Sequence, residues 1–139
     1  MIYGCNRITG TIGYRFKTQL CMVSKILAHY NTLPEINHDE IVGWEMKQDL
    51  RDKFSVLFLT DRDEIGNMRS RIELFQGIFL EKNIRYEEIE LDGQNYVVKA
   101  FKGFYLADWI SLYLATINNV DPNAITLVDK IKSRLENLK

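Results

Sequence analysis

Phe54-Ser55-Val56-Leu57-Phe58-Leu59-Thr60 is almost continuously apolar and runs directly into four charged residues, Asp61-Arg62-Asp63-Glu64. Side chains of a strand alternate between its two faces, so an unbroken apolar run requires cover on both. That is the situation of a central strand in a parallel sheet. The acidic exit marks the carboxyl end of this strand. Beyond it Ile65, Met68, Ile72, Phe75 and Phe79 recur at intervals of three and four, the signature of an amphipathic helix.

The same alternation extends in both directions. Upstream, Ile2-Tyr3-Gly4 reads as a short strand, and Phe16, Leu20, Val23 and Leu27 carry a helical period after a loop from Gly4 to Gly13. A second extended piece is expected over 28–31, stopping at Leu33-Pro34, because the residue before a proline is pushed away from helical geometry. An irregular segment then leads to a helix near 45–52. Downstream, 84–91 reads as a more exposed strand closed by Asp92-Gly93, and 95–118 is apolar nearly all round, as for a helix buried on more than one side. After Asp121-Pro122 a final helix, with Ile125, Val128, Ile131, Leu135 and Leu138 in phase, should pack by one stripe. Alternating strands and helices predict a three-layer α/β/α sandwich with a mainly parallel sheet. Ligands of such sheets bind beyond the carboxyl ends of the strands.

With 139 residues, the chain is the size of one domain with a proper core. Its formal net charge of −1 speaks against general nucleic-acid binding, which needs clustered Lys and Arg to displace counterions. The charge is uneven, however: residues 1–34 hold Arg7, Arg15, Lys17 and Lys25 and no acid. That is a solvated helix face or a positive surface for a phosphorylated ligand. Cys5 and Cys21 follow no metal spacing and no disulfide framework, so a reduced, cytoplasmic setting is expected. No apolar run has the ~18 residues of a membrane span.

Three runs stand out as motifs. These are Tyr14-Arg15-Phe16-Lys17-Thr18-Gln19, the segment Asn37-His38-Asp39-Glu40-Ile41-Val42-Gly43-Trp44-Glu45, and the 107–115 stretch Ala-Asp-Trp-Ile-Ser-Leu-Tyr-Leu-Ala. Together they resemble the C-terminal half of the bifunctional phosphoglucose/phosphomannose isomerases, two-domain sugar isomerase (SIS) proteins. The resemblance runs from Ile2 to about Leu135 and implies one SIS-like, flavodoxin-like domain over residues 1–139. It implies aldose–ketose isomerisation of glucose 6-phosphate and mannose 6-phosphate to fructose 6-phosphate, with no cofactor and no metal. In that family the first run continues into Asn-Glu-Asn-Ala-Lys, whose glutamate moves the proton between C1 and C2. Here the stretch reads Cys21-Met22-Val23-Ser24-Lys25, so Met22 stands at the position of the base, and a thioether accepts no proton.

Ring opening needs an acid/base that works near neutral pH, and the imidazole of His38 suits it. In the resembling family this histidine has that role and reaches into the partner subunit's site. Lys132, in the run Lys130-Ile131-Lys132-Ser133-Arg134-Leu135, corresponds to a lysine credited with the same step, although a lysine there also complements a helix dipole. The resemblance offers Asn37, Glu40 and Arg15 for substrate binding. The Gly4–Gly13 loop, a candidate anion cradle, matches neither the Rossmann nor the P-loop spacing.

The family's phosphate-gripping loop belongs to an N-terminal SIS domain that this chain lacks. An excised domain, one half of a split enzyme and a free-standing relative therefore remain open. The expected activity of the chain alone is absent or weak. The alternative is a non-catalytic sugar-phosphate-binding or dimerisation domain, and the expected partner is a second copy or a separate N-terminal SIS chain. A phospho-accepting signalling domain built on Asp61 and Asp63 is a third class, but no acidic pair follows the first strand.

Overall fold

A computed structural model describes residues 1–5 and 7–138. Among them four strands form one sheet in the order β2-β1-β3-β4: β1 (Ile2–Cys5), β2 (Tyr30–Leu33), β3 (Val56–Asp61) and β4 (Tyr86–Leu91). Every pairing is parallel; Ile2 lies beside Tyr30 on one side and Leu57 on the other, and Val56 pairs with Tyr86. The inner strand β3 takes up the apolar run from Val56 onward, as its composition requires, while Phe54 and Ser55 precede it.

Alternation along β1 and β3 divides the core between two layers. Tyr3, Val56 and Phe58 point to one face, where they meet Ile36, Trp44, Ile72, Phe75 and Phe79. Ile2 and Leu59 point to the other and meet Ile8, Ile12, Phe16 and Ala107. The first layer holds a 3-10 turn (Glu35–Asn37), α2 (Glu40–Gly43), α3 (Gln48–Arg51) and α4 (Met68–Glu81); the second holds α1 (Ile8–Met22) and α5 (Tyr96–Ile117). Phe58 sits within 5.8 Å, centroid to centroid, of the Tyr3, Phe79 and Tyr86 rings, in tilted or edge-on arrangements that aromatic quadrupoles favour.

Several boundaries differ from the sequence expectation. The helix after β1 begins at Ile8, so the Gly4–Gly13 loop shrinks to two residues, of which Asn6 lies outside those described. That helix stops at Met22, leaving Leu27 98% exposed instead of on its apolar stripe. The second strand falls at Tyr30–Leu33, and the helix expected near 45–52 is two short pieces, Glu40–Gly43 and Gln48–Arg51.

The largest corrections concern the last two helices. α5 is buried along a single stripe, Lys99, Gly103, Ala107, Ser111 and Ala115, spaced by four. Small side chains on that stripe let α1 come close. A Cβ on Gly103 would lie 2.5 Å from Ile12 Cδ1, so only glycine fits the contact as it stands. The bulky members of the apolar run, Phe101, Tyr105, Trp109, Tyr113 and Ile117, therefore face outward. α6 (Thr126–Glu136) buries no residue at all; Ile131 is 59% and Leu135 57% exposed on a stripe that the two filled layers leave uncovered.

Candidate functional site

The segment leaving β2 turns through the 3-10 element, exposes His38, and enters α2 at Asp39, whose side chain caps it by accepting from the Glu40 N–H. His38 donates its backbone N–H to the Glu35 carbonyl at 3.0 Å. Its ring makes no hydrogen bond among the described residues and is open to solvent. Next to it Asn37 is half-buried, and its Oδ1 is sealed from solvent without a partner.

Glu40 is held by three side chains. Its Oε2 accepts from the Tyr3 hydroxyl at 2.8 Å, and its Oε1 accepts from Asn31 Nδ2 at 2.6 Å and lies 2.8 Å from His29 Nε2. Tyr3 in turn accepts from the Trp44 indole N–H at 3.0 Å. Burial by itself would raise the Glu40 carboxyl, but the hydrogen bonds from Asn31, His29 and Tyr3 and the charge of His29 outweigh it, leaving the group below the ordinary carboxylate range. The motif glutamate thus ties α2 to β1 and β2. Beside it a hollow of about 360 Å³ is walled by Trp44, Phe54 and Met46.

Met22 is the last residue of α1 and 52% exposed, so it is not a core side chain. It belongs to the α1–α5 layer, whereas His38 belongs to the segment on the opposite face, so the sheet lies between the two. Arg15, on α1, gives its guanidinium to both oxygens of Asp108 at 3.0 and 2.8 Å, with Gln19 donating to the same carboxylate. The pair borders a groove of about 640 Å³ between α1 and α5, lined also by Thr11, Thr18 and Tyr105. Lys132 projects from the uncovered α6.

At the carboxyl ends of β1 and β3, where the strand order reverses, a polar cluster went unrecognised in the sequence. Lys99 is buried with its ammonium against Asp61 and 2.6 Å from Asp63. Those two hydrogen bonds hold the lysine above its ordinary value. Thr9 donates to Glu64 at 3.0 Å and also accepts from the Cys5 N–H at 2.8 Å. Burial raises the Glu64 carboxyl, and it pushes the Cys5 thiol up to about 12, far from a reactive thiolate. One signal was available: Lys99 is in phase with Gly103 and Ala107 on the small-residue stripe. Among the described residues no group of His, Cys, Asp and Glu is placed to hold a metal, and no helix is long and apolar enough to cross a membrane.

Comparison with known proteins gives a consistent result. The model of the bacterial phospho-glucose isomerase C-terminal SIS domain matches residues 1–135. The bifunctional phosphoglucose/phosphomannose isomerase of Caldicellulosiruptor bescii is 31% identical over 139 residues, 100% of this chain and 41% of that protein. The enzyme of that name from Aquifex aeolicus is 29% identical over 129 residues, 93% of this chain and 40% of that protein. The chain thus spans about two-fifths of the length of these relatives. A glucose-6-phosphate isomerase like protein from Thermus thermophilus superposes with a TM-score of 0.61 at 17% identity, covering 91% of this chain and 42% of that one, a likeness of fold.

Proposed function

Because this chain belongs to the family of the bacterial phospho-glucose isomerase C-terminal SIS domain, we propose that it is the C-terminal part of a sugar-phosphate isomerase system that interconverts glucose 6-phosphate or mannose 6-phosphate with fructose 6-phosphate. The observation that carries this reading is the Asn37–Trp44 motif, present within a match that spans nearly the whole chain. In it His38 opens the sugar ring, giving a proton to the ring oxygen and taking one from the C1 hydroxyl. An exposed imidazole that no protein group holds suits a residue offered to a substrate bound elsewhere. His38 and Met22 lie in layers on opposite faces of the sheet, which supports a histidine serving the site of a partner. Lys132 assists ring opening, and Asn37, Glu40 and Arg15 contribute to binding, Glu40 by fixing the histidine segment and Arg15 through its paired guanidinium.

Met22 is where the chemistry stops. Moving a proton between adjacent carbons requires a base, a contribution typically worth ~10²- to 10⁴-fold in rate. The 139 residues match about two-fifths of the length of their relatives, and gripping the phosphate and positioning the reacting carbons is work for an N-terminal SIS domain. The chain alone is therefore inactive or weak as an isomerase. A second reading, a sugar-phosphate-binding or dimerisation domain without catalysis, is favoured by Met22 itself.

The two readings separate in an isomerase assay with glucose 6-phosphate and mannose 6-phosphate. It is run on the chain alone, with an N-terminal SIS domain of a relative added, and with Met22→Glu in both settings. The isomerase reading expects turnover only from Met22→Glu plus the added domain, and loss of that turnover in His38→Ala. Binding without turnover in every combination favours the second reading. Robust turnover by the wild-type chain alone would defeat both and direct attention to Glu35 and Glu40 as the base.

A further inference from the structure

α5 and α6 each carry an apolar stripe that the two filled layers leave uncovered, and both belong to one chain. On α6, Leu127, Ile131 and Leu135 share one side of the helix. Lys130 and Arg134 border that side on one margin and Lys132 on the other, while Asp129 and Glu136 lie at the back. On α5 the outer ridge consists of Phe101, Tyr105, Trp109 and Tyr113, spaced by four. Beside the ridge, toward β4, runs a groove of about 340 Å³ lined by Leu91, Leu106 and Trp109 together with Glu90, Asp92 and Lys102.

The link between the two helices decides where α6 can go. The Asn119 N–H donates to the Thr116 carbonyl at 3.1 Å and the Val120 N–H to the Ala115 carbonyl at 3.0 Å, and Asp121 Oδ1 accepts from the Asn123 N–H at 2.8 Å. This hydrogen-bonded turn sends α6 off in a direction in which it buries no residue against its own domain. Its stripe is therefore held out toward another molecule. A second copy offers a matching surface: the ridge from Phe101 to Tyr113 is roughly 18 Å long and α6 roughly 16 Å. The basic margins of α6 also meet a groove that holds two acids and one lysine.

We propose that two copies of this chain associate by exchanging α6, each laying its Leu127–Ile131–Leu135 stripe along the α5 ridge of the other. A two-fold exchange closes on itself, because each copy gives one helix and receives one, and no stripe is left to recruit a third copy. The two seats together bury roughly 1,600 Å², the size of a stable, specific interface. The exchange goes beyond the isomerase reading and does not depend on it.

The test is sedimentation velocity on the full chain and on two variants altered only at exposed side chains. Ile131→Lys with Leu135→Lys removes the α6 stripe, and Tyr105→Lys with Trp109→Lys removes the α5 ridge. The wild type should be a dimer, and each variant should dimerise roughly tenfold or more weakly, as loss of buried anchors requires. Mixed in equal amounts, the two variants should form a heterodimer at concentrations where neither self-associates, because the intact α6 of one fits the intact ridge of the other. Ridge-to-ridge or α6-to-α6 contact gives no such recovery, since in either case only one of the two variants keeps the face required. Far-UV circular dichroism and thermal melts matching the wild-type domain show that the fold is retained; if the lysine pair on α5 unfolds it, Tyr105→Ala with Trp109→Ala takes its place. A monomeric wild type, a dimer that survives either variant, or a mixture without recovery would overturn the exchange, and capture of the wild-type monomer by an N-terminal SIS domain through α5 would assign the ridge to that partner instead.

Discussion

Glu40 shows how one side chain of the histidine motif serves the fold. It accepts from Tyr3, Asn31 and His29 at once, joining the segment that carries His38 to the two strands beneath it. Folding favours its ionised form, since its carboxyl is held below the ordinary value of 4.5. The stabilisation is therefore present above that value and is lost as pH falls through the lower folded-state value. Glu40→Gln should cost about 1–3 kcal/mol at neutral pH, as expected for hydrogen bonds to a charged group. The gap from wild type should narrow below pH 4.5. Denaturant melts at neutral and acid pH check this, and a gap independent of pH would show that charge is not the cause. Glu64 has the opposite sign: burial raises it, so its neutral form favours folding at low pH and that benefit disappears as pH rises.

At the scale of elements, the contact between α1 and α5 depends on small residues. The stripe from Lys99 to Ala115 brings the helices together, and Gly103 lies against Ile12 where a Cβ would come 2.5 Å from Cδ1 and 3.1 Å from Cγ1. The nearest atom is the tip of a flexible side chain, so Gly103→Ala is absorbed largely by a shift of Ile12. Gly103→Leu cannot be absorbed that way and should destabilise by about 1–3 kcal/mol, the range for overpacked cores. Thermal unfolding of the two variants measures the difference; equal effects would mean that the helices do not approach as closely as described. The helical period of α5 was legible in the sequence, but its buried side was not. Aromatic residues fill the exposed face more densely than the packed one, so hydrophobicity pointed in no single direction.

Among the described residues, the outer face of α5 and the stripe of α6 are apolar surfaces that lack cover. The outer face of α5 presents Phe101, Tyr105, Trp109 and Tyr113, and α6 presents Leu127, Ile131 and Leu135. A helix of 11 residues has little stability in water without a partner, and contiguous exposed apolar surface normally marks an interface. The chain should therefore self-associate, or bind a separate N-terminal SIS chain through these surfaces. Sedimentation velocity over a range of concentrations should show a dimer that Ile131→Lys with Leu135→Lys shifts toward monomer. The unfolding of the sheet domain should be preserved in that variant. A monomer at high concentration that also fails to bind an N-terminal SIS domain would remove this account.

The sequence by itself determined the alternation of strands and helices, the inner position of β3 and the family. These depend on local periodicity, on an apolar run too continuous for an exposed strand, and on the Asn37–Trp44 motif. Only the tertiary structure decided which residues meet. Lys99 joins Asp61 and Asp63, and Thr9 joins Glu64, because parallel strands bring segments far apart in the chain to common edges. It also decided that α5 turns its aromatics outward and that α6 stands uncovered. Periodicity tells which side of a helix is apolar, whereas what covers that side depends on the volume its neighbours have already filled.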